Sequence, residues 1–217
     1  MAEKQMISFR REIERKSVHL LGGLQISMFG FFVPEEFHAF FMYGFAYFIV
    51  FLCLLEWLRL HDVLKLPMLR DYERRRVGGY FFFFLGAFIC FLIFPREIAT
   101  ASVLMLSTGD AVSGIMLTAK HPDTPRRPSV KPFPVASAMF LTSFASCYIF
   151  FCAINHPSSL IMALSGATGA TIADTFPLRT PLFYVDDNLS IPLLAGCAII
   201  LSDIMSSILL YEAAWAY

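Results

Sequence analysis

Residues 98–118 read IATASVLMLSTGDAVSGIMLT. A helix of this length rises roughly 30 Å, the thickness of the hydrocarbon core of a bilayer. The run holds a single ionisable side chain, Asp110. A carboxylate there is costly enough to count as a functional hypothesis by default. Around it stand Ser107, Gly109, Ala111, Ser113 and Gly114, small residues that let a second backbone or a ligand come close.

The rest of the chain has the same character. Of 217 residues, 57% are hydrophobic, 16% aromatic and only 16% charged, with 24 Phe. A soluble fold of this size has no interior large enough for so much apolar surface. The composition excludes a disordered chain, a nucleic-acid binder and a secreted disulfide scaffold. The five cysteines (Cys53, Cys90, Cys147, Cys152, Cys197) all fall in apolar runs without metal-ligand spacing and read as small buried hydrophobes. Seven runs are expected to span: Ser17–Val33, Phe37–Leu58, Val77–Phe94, Ile98–Thr118, Val135–Ile154, Leu160–Ala173 and Ile191–Tyr211. The sixth is short enough to be tilted or re-entrant. In lipid the backbone must satisfy its own hydrogen bonds, so the expected fold is an all-α bundle forming one integral membrane domain over residues 1–217.

Lys and Arg distribute asymmetrically about these spans. Sixteen of the 17 fall before the first span or in connections on the same side, and only Arg96 falls on the other. This positive-inside pattern places the N-terminus in the cytoplasm. The charged N-terminal stretch, with no small-residue cleavage site after the first apolar run, does not read as a removable signal. Longer connections carrying the unusual chemistry lie on the cytoplasmic side, so the site is expected there.

Several polar groups converge on that face. Asp110 lies about 12 Å from the inner end of its helix. Asp174 closes the sixth run just before Pro177, which stops a helix. Asp186-Asp187-Asn188 precedes the seventh run, where such residues cap a helix and also supply hard oxygen ligands for a divalent cation. Lys16 and His19 are three residues apart and share a helix face. Arg126, Arg127 and Lys131 lie in a connection with five prolines between Pro122 and Pro134. Glu56 and Arg59 read equally as an interfacial ion pair or as part of a site, and Asp203 as a packing partner. Carboxylates that hold a metal beside bases that neutralise phosphate fit phosphoryl transfer, which needs mainly positioning and charge cancellation. The rivals are a proton- or ion-coupled transporter relaying through Asp110, Glu56 and Asp203, a lipid cytidylyltransferase that releases pyrophosphate, and a purely structural membrane scaffold. Acids gathered at one face argue against a transmembrane relay.

Four segments together carry a family likeness. Arg15-Lys16-Ser17-Val18-His19, Gly109-Asp110-Ala111, Gly169-Ala170 leading to Asp174 and Pro177, and Asp186-Asp187-Asn188-Leu189 with Pro192 resemble the CTP-dependent polyprenol kinases. That family takes in dolichol kinases, phytol kinases and the yeast-type CTP-dependent diacylglycerol kinases. The likeness runs from about residue 12 to 196, and the short chain looks most like a prokaryotic or archaeal member. The family's CTP-associated stretch matches at Asp110 and Lys131; Leu117 and His121 stand where it has glycines, and Val130, Pro132, Pro134 and Val135 replace its Lys, Thr, Glu and Gly.

The resemblance implies a lipid-alcohol kinase moving the γ-phosphate of CTP, or alternatively ATP, to a polyprenol- or dolichol-type alcohol. Asp110 with Asp186 or Asp187 would hold Mg²⁺ or Mn²⁺. Lys16, Lys131, Arg127 and Asn188 would contact nucleotide or metal, and Asp174 or His19 would orient or deprotonate the acceptor. Nucleotide, lipid alcohol and membrane lipid are the expected partners, with a homodimer as candidate assembly. The expected location is the plasma membrane in a prokaryote and the endoplasmic reticulum in a eukaryote.

Overall fold

The computed structural model describes residues 2–64, 76–120, 130–176 and 185–215, with side chains described over 9–208 of these. Seven helices follow in order: α1 (Ala2–Phe32), α2 (Glu35–Leu60), α3 (Gly79–Ile93), α4 (Arg96–Lys120), α5 (Phe133–Ala153), α6 (Ser159–Thr175) and α7 (Asp187–Trp215). No strand occurs among the described residues. Each expected apolar run is a helix. The sixth is continuous from Ser159 to Thr175, and α1 begins well ahead of its apolar part because the charged stretch from Arg10 to Lys16 continues the same helix. Among the described residues α2, α4, α5 and residues 187–208 of α7 are long and apolar enough to cross a membrane, and α3 is a shorter apolar helix.

Proline sets several of the boundaries. Pro34 and Pro132 immediately precede α2 and α5, and Pro134 occupies the first turn of α5, where its missing N–H is not needed. Pro192 lies inside α7 and cannot donate to the carbonyl of Asn188 one turn earlier. At the other end Arg96 Nη1 donates to the Val33 carbonyl at 2.9 Å, tying the exit of α1 to the entry of α4.

α4 is the axis of the bundle. Every residue from Ile98 to Ala111 except Thr108 is buried. Around it pack α1, α5, α7 and α3; α6 fills the angle between α5 and α7, and α2 leans on α3. Ser102, Ser107, Thr108 and Thr118 of this helix donate to carbonyls one turn earlier, as in Ser107 Oγ to Val103 O at 2.7 Å. Glycines let the axes approach. A Cβ on Gly23 would lie 1.6 Å from Ser107 Oγ, and one on Gly169 would lie 2.6 Å from the Leu194 carbonyl.

The polarity of the fold is inverted relative to a soluble protein. Lys16, Asp110 and Asp174 are among the most buried residues, whereas Phe29, Phe40, Tyr43 and Tyr47 are more than two-thirds exposed. An exterior of this kind is stable against lipid and unstable against water. The same surface corrects the expectation for cysteine: Cys90 and Cys147 are buried, but Cys53, Cys152 and Cys197 are exposed on apolar helices. In the bilayer such positions need no burial in protein.

Glu56 and Arg59 form a buried ion pair at 2.5 Å. Arg59 Nη2 also donates to the Arg76 carbonyl, and Glu56 Oε1 accepts the Gly78 N–H at 3.3 Å. The pair thus fastens the end of α2 to the entry of α3. Asp203 lies near the opposite end of the bundle, lining a cavity with Glu97, His156 and Phe31. The three acids of the transporter alternative therefore do not form one path.

The orientation is testable by cysteine labelling in a background lacking native thiols. In sealed vesicles with the cytoplasmic face outward, Lys120→Cys should react with a membrane-impermeant maleimide. Glu36→Cys should react only after permeabilisation, and the reverse pattern would invert the topology.

Candidate active site

The site forms where five separated stretches meet towards one end of the helix bundle. Asp110 comes from the inner half of α4, Asp174 from the last turn of α6, and Asp187 from the first residue of α7. All three are buried, and each offers a carboxylate oxygen within 4.8 Å of the others. Lys16 approaches from α1 and Lys131 from the segment entering α5.

Each lysine neutralises one acid. Lys16 Nζ donates to Asp110 Oδ2, with both side chains almost wholly withdrawn from solvent. Lys131 Nζ donates to Asp174 Oδ1 and lies 3.4 Å from Ser113 Oγ, and Ser113 Oγ is itself 3.5 Å from Asp174 Oδ1. The Lys131 N–H reaches the Thr175 carbonyl at 3.3 Å, so backbone and side chain both join the entry of α5 to the end of α6. Removing one partner of a buried pair typically costs about 3–5 kcal/mol, because the other charge is left uncompensated.

His19 Nε2 is 3.5 Å from the Asp110 oxygen that Lys16 holds, and its ring packs against Phe83 with centroids 4.1 Å apart. One turn of helix separates Lys16 from His19, as their spacing predicts, and both face α4.

The two adjacent acids ahead of α7 divide their work. Asp186 Oδ1 accepts the Asn188 N–H at 3.0 Å and the Asn188 side-chain amide at 2.6 Å, which is helix capping. Asp187 is the one that joins Asp110 and Asp174. Among the described residues, Asp174 Oδ2 and Asn188 Oδ1 are buried without a hydrogen-bond partner. Buried carboxylate and amide oxygens of this kind suit a hard divalent cation.

Backbone close to the site is held by two glycines. A Cβ on Gly86 of α3 would lie 2.7 Å from the Asn188 carbonyl, the group that Pro192 leaves without its helical donor. A Cβ on Gly114 would lie 2.4 Å from Lys16 Cε. Arg126 and Arg127 fall outside the described residues.

Sequence reasoning did not assign Gly86 or Glu12 to the site, and it read Ser113 and Gly114 only as small residues beside Asp110. Glu12 is buried one turn ahead of Lys16 and pairs with Arg15 at 2.6 Å. Its spacing of four from Lys16 was an available signal. Nothing in the sequence marks Gly86 as facing Asn188, because that contact joins α3 to α7.

Among known proteins, the chain is 27% identical over 154 residues to the CTP-dependent diacylglycerol kinase 1 of Schizosaccharomyces pombe, an alignment covering 66% of this chain and 68% of that protein. This relative falls within the CTP-dependent lipid kinases that the Arg15-to-His19 and Asp186-to-Leu189 motifs resemble. No family model matches the chain, and no solved structure matches it.

The two glycines should differ in tolerance. Gly86→Ala meets rigid backbone and should destabilise the solubilised protein by about 1–3 kcal/mol. Gly114→Ala meets side-chain atoms, those of Lys16 and Glu12 Oε1, in place of backbone and should cost less. Thermal unfolding in detergent measures both.

Proposed function

We propose, from the premise that this chain is a distant relative of the CTP-dependent lipid kinases, that it is an integral membrane phosphotransferase carrying the γ-phosphate of CTP to a lipid alcohol at the cytoplasmic face. The observation that carries this reading is the convergence of Asp110, Asp174 and Asp187, within 4.8 Å of one another, with Lys16 and Lys131. Acids that hold a metal and bases that hold phosphate are the two parts such a transfer requires. A relay or a scaffold has no need of both in one buried cluster.

In this reading Asp110, Asp174 and Asp187 hold Mg²⁺ or Mn²⁺, with Asn188 Oδ1 beside them and Asp186 reserved for the helix cap. The bound metal supplies charge neutralisation across the nucleotide phosphates. Lys16 and Lys131 pair with phosphate oxygens, and Arg127 adds positive charge from the connection between α4 and α5. His19 is assigned to the acceptor: Asp174 is taken up in the metal-holding set with Asp110 and Asp187, whereas His19 stands beside Asp110 against the aromatic ring of Phe83. Its ring nitrogen accepts the hydroxyl proton as the alcohol oxygen bonds to the γ-phosphorus. The bond from that phosphorus to the β–γ bridging oxygen breaks, and CDP leaves.

The acceptor class is a membrane-embedded alcohol. A polyprenol- or dolichol-type isoprenoid is the first reading, from the motif resemblance. Diacylglycerol is the second, favoured by the name of the yeast relative. Both present a primary hydroxyl to the same site, and the apolar exterior of α1 to α3 offers either chain a path from the bilayer.

Purified protein in mixed micelles with Mg²⁺ should transfer label from γ-labelled CTP to one of these two alcohols. Transfer from labelled ATP would move the donor assignment, and pyrophosphate release would indicate a cytidylyltransferase. Failure with every nucleotide and acceptor would reject the kinase reading. Asp110→Asn should lower kcat by about 10²-fold or more in folded protein. His19→Gln should lower kcat by about 10²-fold with nucleotide affinity retained, since only proton transfer is lost.

A further inference from the structure

Among the described residues, three carboxylates and two ammonium groups form the buried cluster of the site. Glu12 nearby is bridged to Arg15, and the Asp186 side chain is turned to the cap of α7. Lys16 and Lys131 therefore occupy oxygens of Asp110 and Asp174, two of the three acids that would hold a cation. A divalent ion added to this set, with both ammonium groups still present, leaves one net positive charge in a buried space. A nucleotide added without the ion draws the ammonium groups onto phosphate and strands the carboxylates. Each ligand alone meets a penalty that the other removes.

We infer that Lys16 and Lys131 are placeholder cations, which hold the aspartates together before ligand binds and pass to phosphate oxygens when a metal–nucleotide pair enters. The inference rests on the kinase reading above and adds coupling between its two ligands. Lys131 is suited to such an exchange. It comes from the chain between α4 and α5 rather than from a helix interior, and its ammonium already touches Ser113 as well as Asp174. Lys16 lies against Gly114, where the missing side chain leaves room for its Cε. Coupling between sites is reciprocal, so metal should raise nucleotide affinity by the same factor that nucleotide raises metal affinity.

The experiment is a Mn²⁺ titration of the solubilised full chain by electron paramagnetic resonance, with and without a CTP analogue bearing a β,γ-methylene bridge. The metal–analogue complex in free solution is subtracted. In the native protein the analogue should tighten Mn²⁺ binding about 5- to 150-fold. Lys131→Met, which keeps length and removes charge, should bind Mn²⁺ alone about tenfold more tightly than the native protein and lose most of the coupling. A merely structural lysine would not produce that gain. Should Lys131→Met fail to fold, the native coupling and Lys16→Met decide the question. Equal Mn²⁺ affinity with and without the analogue in native protein overturns the exchange and leaves the kinase reading standing. Absence of Mn²⁺ binding under both conditions overturns the metal assignment and the exchange with it.

Discussion

Asp110 and Asp174 are each held by a lysine inside a helical bundle, and the architecture around them follows from keeping these pairs out of lipid. A carboxylate in a low-dielectric interior is tolerable only when opposite charge and hydrogen bonds replace its hydration. Lys16 and Lys131 do this from elements far apart in the chain, so the ion pairs also act as tertiary ties, α1 to α4 and the entry of α5 to the end of α6. With Asp187 drawn into the same space, the inner ends of α1, α4, α6 and α7 and the approach to α5 converge on one cluster of charge.

Such convergence requires small residues. Gly23, Gly86, Gly114 and Gly169 all lie where a Cβ would run into a neighbouring helix. Between transmembrane helices there is little hydrophobic gain to drive association, since lipid tails are as apolar as leucine, and close packing takes its place. The contact of Gly86 with the carbonyl of Asn188 joins this packing to the chemistry. The irregularity that Pro192 introduces into α7 sits beside the residues proposed to hold metal and nucleotide.

Polar groups away from the cluster serve other ends. Glu56 and Arg59 have the same residue types as the site and are equally buried, yet they bind each other and the backbone entering α3. Composition alone does not distinguish a structural ion pair from one poised for exchange. The difference lies in what they hold: Arg59 ties Glu56 to the Arg76 carbonyl, whereas each site lysine belongs to a cluster with three acids.

Much of this was legible in the residues. Hydropathy determines seven helices, because lipid leaves the backbone no alternative, and lysine and arginine give the expectation of which ends face the cytoplasm. Rare acids within apolar runs and the spacing of Lys16 from His19 already marked the site, since a charge that costs so much is kept for a purpose. Tertiary structure alone decided which acids meet. Asp186 and Asp187 are neighbours with the same side chain, yet the turn into α7 directs one to the cap and the other to the cluster. The pairings of Lys16 with Asp110 and Lys131 with Asp174 were likewise invisible, as was the seat at Gly86. They depend on helix rotation and approach, which are set by packing of glycines and serines across the bundle and leave no periodic trace along one chain.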